Sequence, residues 1–161
     1  MALKRHIDPI ARFMQEHDEA LVQLAMLNKA TRSVAEQGFT MDSYRRILAA
    51  MEFIEDEVSV HNKREEEALF PVLERYVEGP TRLMRHDHRI LKKEFLRLRR
   101  AVTKLAEDKK NKRAAQTLAE ISRSMVQIFV NHIHKENHIL FPLVQKFLTK
   151  DALREVARRM A

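Results

Sequence analysis

Residues 61–71 read HNKREEEALFP, and residues 132–142 read HIHKENHILFP. The two stretches share a His, a Glu four residues later and a closing Leu-Phe-Pro. They lie 71 residues apart, and the same offset carries Pro9 onto Pro80 and His17 onto His88. His17 to His61 and His88 to His132 both span 44 residues, with no gap. Such self-similarity marks a repeated supersecondary unit that must stack on a neighbour to bury its apolar face. Each half therefore reads as a helical hairpin with one His on its first helix and His-x-x-x-Glu on its second. Two such hairpins pack about a pseudo-twofold axis.

The apolar periodicity around these stretches is helical throughout. Asp8-Pro9 starts the first helix, an N-cap acceptor followed by Pro at the first helical position. Ile10, Phe13, Met14, His17, Leu21, Leu24 and Asn28 share one face of it, and Gln37-Gly38 closes it. Thr40 or Asp42 caps the second helix, which carries Ile47, Met51, Ile54, Val58, His61, Glu65, Leu69 and Val72. Gly79-Pro80 breaks the chain before a third helix with Met84, His88, Leu91, Phe95, Leu98, Val102 and Leu105 in strict alternation of four- and three-residue steps. After a charged turn at Asp108 to Lys112, the fourth helix presents Leu118, Ile121, Met125, Ile128, His132, Glu136, Ile139 and Leu143. Thr149 or Asp151 caps a short basic tail helix ending near Met160. The prediction is an all-α, antiparallel up-down-up-down four-helix bundle with a short C-terminal helix. It forms one domain over 1–161, with hairpins at about 8–78 and 80–148 and a tail helix at 150–160.

Composition agrees with that reading. The chain has 161 residues, 45% hydrophobic and 33% charged, with only 2 Gly and 4 Pro. That excludes a collagen-like, linker-like or disordered chain, and so few turn-formers argue against a sandwich or barrel. No apolar run approaches the length of a membrane span, and no signal-peptide pattern opens the chain, so a cytoplasmic protein without membrane contact is expected. Zero Cys excludes a disulfide framework, an iron–sulfur cluster and a thiolate zinc site. The net charge of +7 divides unevenly: residues 1–79 carry 10 basic and 15 acidic groups, residues 80–161 carry 20 and 8. A basic stripe from Arg82 to Arg113 can serve an anionic partner. With no nucleic-acid motif or interleaved aromatics beside it, a solvated helix face is the favoured reading and nucleic acid is not assigned as a partner.

Six polar residues fall on the apolar seams: His17, His61, Glu65, His88, His132 and Glu136. His88 is the inward member of its pair, because His86 lies about 200° around the helix from it at about 100° per residue; His86 and His6 read as surface residues. A lone inward His is ordinarily a satisfied core residue. Four His and two Glu at matching depth on four helices are different, because buried carboxylates without a partner cost several kcal/mol and repel each other. No Lys or Arg shares the seam; Lys92, Lys93 and Lys135 flank it on other faces. A metal centre satisfies all six, since neutral imidazole nitrogens and carboxylate oxygens are natural ligands. Residues i and i+4 sit one turn apart on one face, so each His-x-x-x-Glu offers a nitrogen and an oxygen to one site. Two carboxylates for four His suggest two metals, each taking two His, with Glu65 and Glu136 bridging. Ligation without thiolate suits iron, manganese or zinc, and bridging carboxylates favour a redox pair. A metal-free His–Glu hydrogen-bond network specifying the bundle is the alternative. Pro71 offers no N–H to the carbonyl of Glu67, nor Pro142 to that of His138, so both ligand helices should kink one to two turns past the site; for the Leu-Phe-Pro segments the favoured reading is that each Pro simply marks where the seam tightens.

With these residues in hand, the sequence resembles the hemerythrin-like HHE cation-binding proteins over nearly its whole length. Glu16-His17, HNKREEEALFP from His61, Asp87-His88 after Gly79-Pro80, and HIHKENHILFP from His132 carry the resemblance. It implies a non-haem di-iron centre ligated by His17, His61, Glu65, His88, His132 and Glu136. The invertebrate oxygen carriers have a further His one turn after the third-helix ligand, where this chain has Lys92, and space their last carboxylate differently. The four-His, two-Glu set is closer to iron-centre repair proteins that act under nitrosative and oxidative stress, although those usually carry a Cys-bearing N-terminal segment. His138 and His134 are the candidates for a fifth nitrogen. Apolar walls formed by Phe13, Met14, Leu21, Ile54, Val58, Leu91, Phe95, Met125, Ile128 and Phe129 would admit O2, peroxide or NO. A competing reading is an interaction module stapled by metal, with the third helix and Lys109 to Arg113 holding an anionic partner.

Overall fold

The computed structural model describes residues 8–161, so His6 lies outside the described residues. Among them there are helices and no strands. Helix α1 is Pro9–Gln37, and Asp8 caps it by accepting the amide of Ile10 at 3.0 Å. Gly38 leaves it at φ 93°, a conformation that suits a residue without Cβ. Helix α2 runs from Met41 to Leu73, with Thr40 rather than Asp42 as its cap. Helix α3 is Pro80–Glu107, entered through Gly79 at φ 143°. Helix α4 runs from Lys112 to Phe147, capped by Asn111; Lys112, expected in the turn, is its first residue. Helix α5 is Lys150–Arg159, capped by Thr149.

The long helices are not α-helical throughout. In α2 the turns Ile54–Val58 and Glu65–Leu69 are π-helical, and in α4 the turn Glu136–Leu140 is. Phe70 N–H reaches back five residues to the Glu65 carbonyl, and Phe141 N–H to that of Glu136. The following prolines, Pro71 and Pro142, have no N–H to continue an α ladder, and wide turns accommodate the break without ending the helix. Each wide turn inserts one residue and rotates the rest of the helix about its axis. The fourth-helix seam consequently runs His132, Glu136, Leu140, Val144, in place of the expected Ile139 and Leu143. Leu140 is 0% exposed and Ile139 52%.

Helices α1 and α4, α3 and α4, and α1 and α2 pack against one another, and α5 lies over the Glu65–Leu69 turn of α2. The buried apolar residues form two clusters. One includes Leu24, Leu27, Ile47, Leu98, Leu105 and Leu118; the other includes Phe13, Phe70, Met84, Phe141, Val144 and Val156. Along every long helix the seam passes from one cluster to the other through the polar residues: His17 between Phe13 and Ala20, His61 and Glu65 between Val58 and Ala68, His88 between Met84 and Leu91, and His132 and Glu136 between Phe129 and Leu140. The bundle is thus apolar at both ends of a polar waist. Met14 faces solvent instead of the wall expected of it, and Leu21, Phe95 and Ile128 are half-buried at the margin. No described helix is long and apolar enough to cross a membrane.

Candidate metal centre

All six seam residues meet at the waist, and all six are buried. They form two overlapping groups of four. His17, His61, Glu65 and Glu136 make one; Glu65, His88, His132 and Glu136 make the other, with the donor atoms of each group within 4.8 Å of one another. The two groups share both carboxylates. Glu136 Oε1 stands 3.1 Å from both His17 Nε2 and His132 Nε2. Glu65 Oε1 lies 2.9 Å from His61 Nε2 and 3.6 Å from His88 Nε2. Each glutamate therefore faces one imidazole from either pair.

Within each pair the nitrogens approach closely: His17 Nε2 to His61 Nε2 is 3.1 Å, and His88 Nε2 to His132 Nε2 is 3.2 Å. Two nitrogens at right angles on one ion, each about 2.1 Å from it, lie about 3 Å apart. Glu65 Oε1, Glu65 Oε2 and Glu136 Oε2 are buried without a hydrogen-bond partner. Orphaned buried acceptors are rare and costly, and a cation between them and the four Nε2 atoms satisfies all at once. The donor set fits divalent metal cations.

The outer nitrogens are held as tightly as the inner ones. His61 Nδ1 donates to Glu16 Oε1 at 3.1 Å and His132 Nδ1 to Asp87 Oδ2 at 3.1 Å. His17 Nδ1 donates to Asn137 Oδ1 at 2.7 Å, and His88 Nδ1 to Glu66 Oε1 at 2.8 Å. With Nδ1 carrying the proton, the Nε2 lone pair points at the centre, the tautomer a metal needs. Phe141 stacks on His17 with centroids 5.4 Å apart, and Phe70 on His88 at 6.0 Å. The Leu-Phe-Pro motifs thus do more than mark a bend: each supplies the ring that backs a histidine of the opposite hairpin.

Four residues that the sequence reading left without a role do this holding: Glu16, Glu66, Asp87 and Asn137. The offset of 71 pairs Glu16 with Asp87 and Glu66 with Asn137, and each is next in sequence to a seam residue, which was the available signal. Lys135, placed off the seam, pairs with Asp87, and Arg64 stands 3.6 Å from Glu16. His134 and His138 are both exposed and stack on each other at 5.4 Å; neither joins the cluster. His86 is exposed, as expected.

The charges answer one another. Burial disfavours an imidazolium at His61, but the Glu65 carboxylate and the hydrogen bond to Glu16 outweigh it and push the ring up to about 10. Burial is likewise overcome at His88 by Glu65 and at His132 by Glu136, and both are raised. Burial would raise Glu65, yet the His61 charge beside it holds its carboxyl well below the ordinary range.

Beside the His17–His61 pair is a cavity of about 20 Å³ reaching His132 and Glu136, with Ala20, Val58, Phe129 and Ile133 as its apolar walls. That is room for about one water-sized molecule. On the other side, a groove of about 530 Å³ between α2 and α3 reaches Glu66 and His88 from solvent.

The family model described as Hemerythrin HHE cation binding domain matches residues 8–144 and, a second time, residues 79–161. The chain belongs to the hemerythrin family. The hemerythrin domain binds metal cations, and among the described residues the His/Glu cluster at the waist has the donors that could do so. The second match covers the second hairpin and the tail helix. No curated protein matches the chain.

Proposed function

We propose that this protein holds two irons at the waist, ligated by His17, His61, Glu65, His88, His132 and Glu136, and binds or reacts with O2, peroxide or NO in oxidative or nitrosative stress response or sensing. The observation that carries the reading is the pair of buried glutamates shared between two histidine pairs, with three of their four oxygens lacking a hydrogen-bond partner. A single ion would leave one histidine pair idle. Zinc or manganese suits the same donors and can substitute. Ferrous iron, when bound, supplies the electrons that reduce or bind such a small molecule.

The chain's own groups set the conditions. Glu65 and Glu136 join the two positions, each facing one nitrogen of either pair. Glu16, Glu66, Asp87 and Asn137 fix the imidazole tautomers, and Phe70 and Phe141 fix ring orientation. The neighbouring cavity limits the ligand to a few atoms, with Ala20, Val58, Phe129 and Ile133 lining it together with Glu19, Glu57 and Asn62.

Anaerobic loading with Fe(II), followed by measurement of iron per chain and of the absorption spectrum before and after O2, peroxide and NO, tests the proposal. Two irons per chain and a spectrum that changes with at least one of the three are expected. Clearly fewer than two irons, or an inert spectrum, would refute it.

A further inference from the structure

We propose that the two metal positions are unequal: the position at His88 and His132 fills first, and Asn137 is the residue that sets the difference. This deepens, and rests on, the two-metal reading above. The shared glutamates do not separate the positions, because each faces one nitrogen of both pairs. The asymmetry lies one layer out. At the His88–His132 position both rings donate to carboxylates, Glu66 and Asp87. At the His17–His61 position one ring donates to Glu16, and the other to the neutral amide oxygen of Asn137.

The repeat isolates this substitution. Asn137 occupies the place that Glu66 holds in the other half, whereas Glu16 and Asp87 exchange one carboxylate for another. The ion pairs that these acceptors make do not remove the difference. Glu16 has Arg64 and Arg12 acting on it and Asp87 has Lys135, while Glu66 pairs only with His88 among the described residues. Among the groups that accept from the four Nδ1 atoms, those at His88 and His132 therefore carry one negative charge more. A carboxylate that accepts from Nδ1–H makes the imidazole a stronger donor at Nε2 and adds attraction for a dication. Partners of this kind are worth about ten- to a hundredfold in metal affinity.

The test uses the full chain and zinc(II), which is redox-silent, so the readout is affinity and location. Calorimetric titration should resolve two steps separated by about ten- to a hundredfold. Crystals grown with one equivalent should show zinc-edge anomalous density between His88 and His132. Asn137→Asp should bring the two steps together by strengthening the second. Glu66→Gln should weaken the first step by a similar factor, and it serves independently should Asn137→Asp fail to fold. Two ions of indistinguishable affinity in the wild type, or a first ion at His17 and His61, would overturn this proposal and leave the two-metal reading standing. Uptake of fewer than two ions overturns both.

Discussion

The Phe141 ring lies almost parallel to the His17 imidazole, 19° between planes and 5.4 Å between centroids. The two residues come from opposite hairpins and opposite ends of the sequence. Phe141 is buried and also stacks on Phe13 at 6.1 Å, so it is both a core residue and the backing of a candidate ligand. Phe141→Ala should lower unfolding free energy by about 3–5 kcal/mol and weaken metal binding as well. Denaturant unfolding of the metal-free chain, set beside a metal titration, reads the two effects separately. An unchanged affinity in a folded variant would show that stacking does not orient His17.

Asp87 carries two partners, His132 and Lys135. Asp87→Ala leaves the imidazole without its Nδ1 acceptor and the ammonium without its counter-charge. Metal affinity should fall by about ten- to a hundredfold, and Asp87→Asn, which keeps an acceptor, should retain part of it. Competition against a chelator of known strength measures the loss.

Bound metal should stabilise the fold by mass action, since the two groups of donors exist only when all four helices are together. At a free concentration a thousand times the dissociation constant, one ion contributes about 4 kcal/mol. Glu65→Gln removes a donor shared by both positions, so thermal unfolding with and without zinc should show most of that increment gone. A variant whose melting temperature still rises with zinc as the wild type's does would contradict the sharing.

The metal-free chain should respond to pH with a definite sign. His61 is raised from 6.5 to about 10 in the fold, so its contribution is fully present below pH 6.5 and is lost as pH rises from there through about 10. Glu65 is depressed, so its contribution is present above its ordinary value near 4.5 and is lost on acidification. Stability without metal should therefore be greatest in mildly acidic solution and decline toward alkaline pH. Metal affinity runs the other way over the same range, because each ion must displace imidazole protons. Chemical unfolding across pH 5–10, with and without saturating zinc, should give curves that diverge as pH rises. Parallel curves would count against proton and metal sharing these nitrogens.

The π turn in α4 is testable by mutation. Leu140→Ala should cost about 2–5 kcal/mol, while Ile139→Ala, on the solvent side, should stay within about 0.5 kcal/mol. An uninterrupted α-helix would reverse that order.

That reversal marks where sequence stopped being a guide. Helix number, the breaks at Gly38 and Gly79, and the convergence of the six polar seam residues were all readable, because periodicity and capping are local and the repeat supplied a second copy of each signal. The wide turns were not. Pro71 and Pro142 announce a missing hydrogen bond, but whether the chain bends or inserts a residue depends on what Leu140 and Phe141 find to pack against. The outer hydrogen bonds were hidden for a similar reason. Glu66 and Asn137 come directly after the shared glutamates in sequence, yet their partners lie on helices of the other hairpin, and only the crossing of four helices decides who meets whom. His134 and His138 looked close enough to help by counting residues; their side of the helix turns them to water.

Each half of the molecule carries three of the four candidate donors of one group and borrows the fourth, Glu136 or Glu65, from the other. A growing chain therefore has no finished binding place until its last long helix has been made and has docked. On the proposed reading, stray cations met during synthesis would find only partial chelates, and the choice of metal would fall to a protein that is already folded.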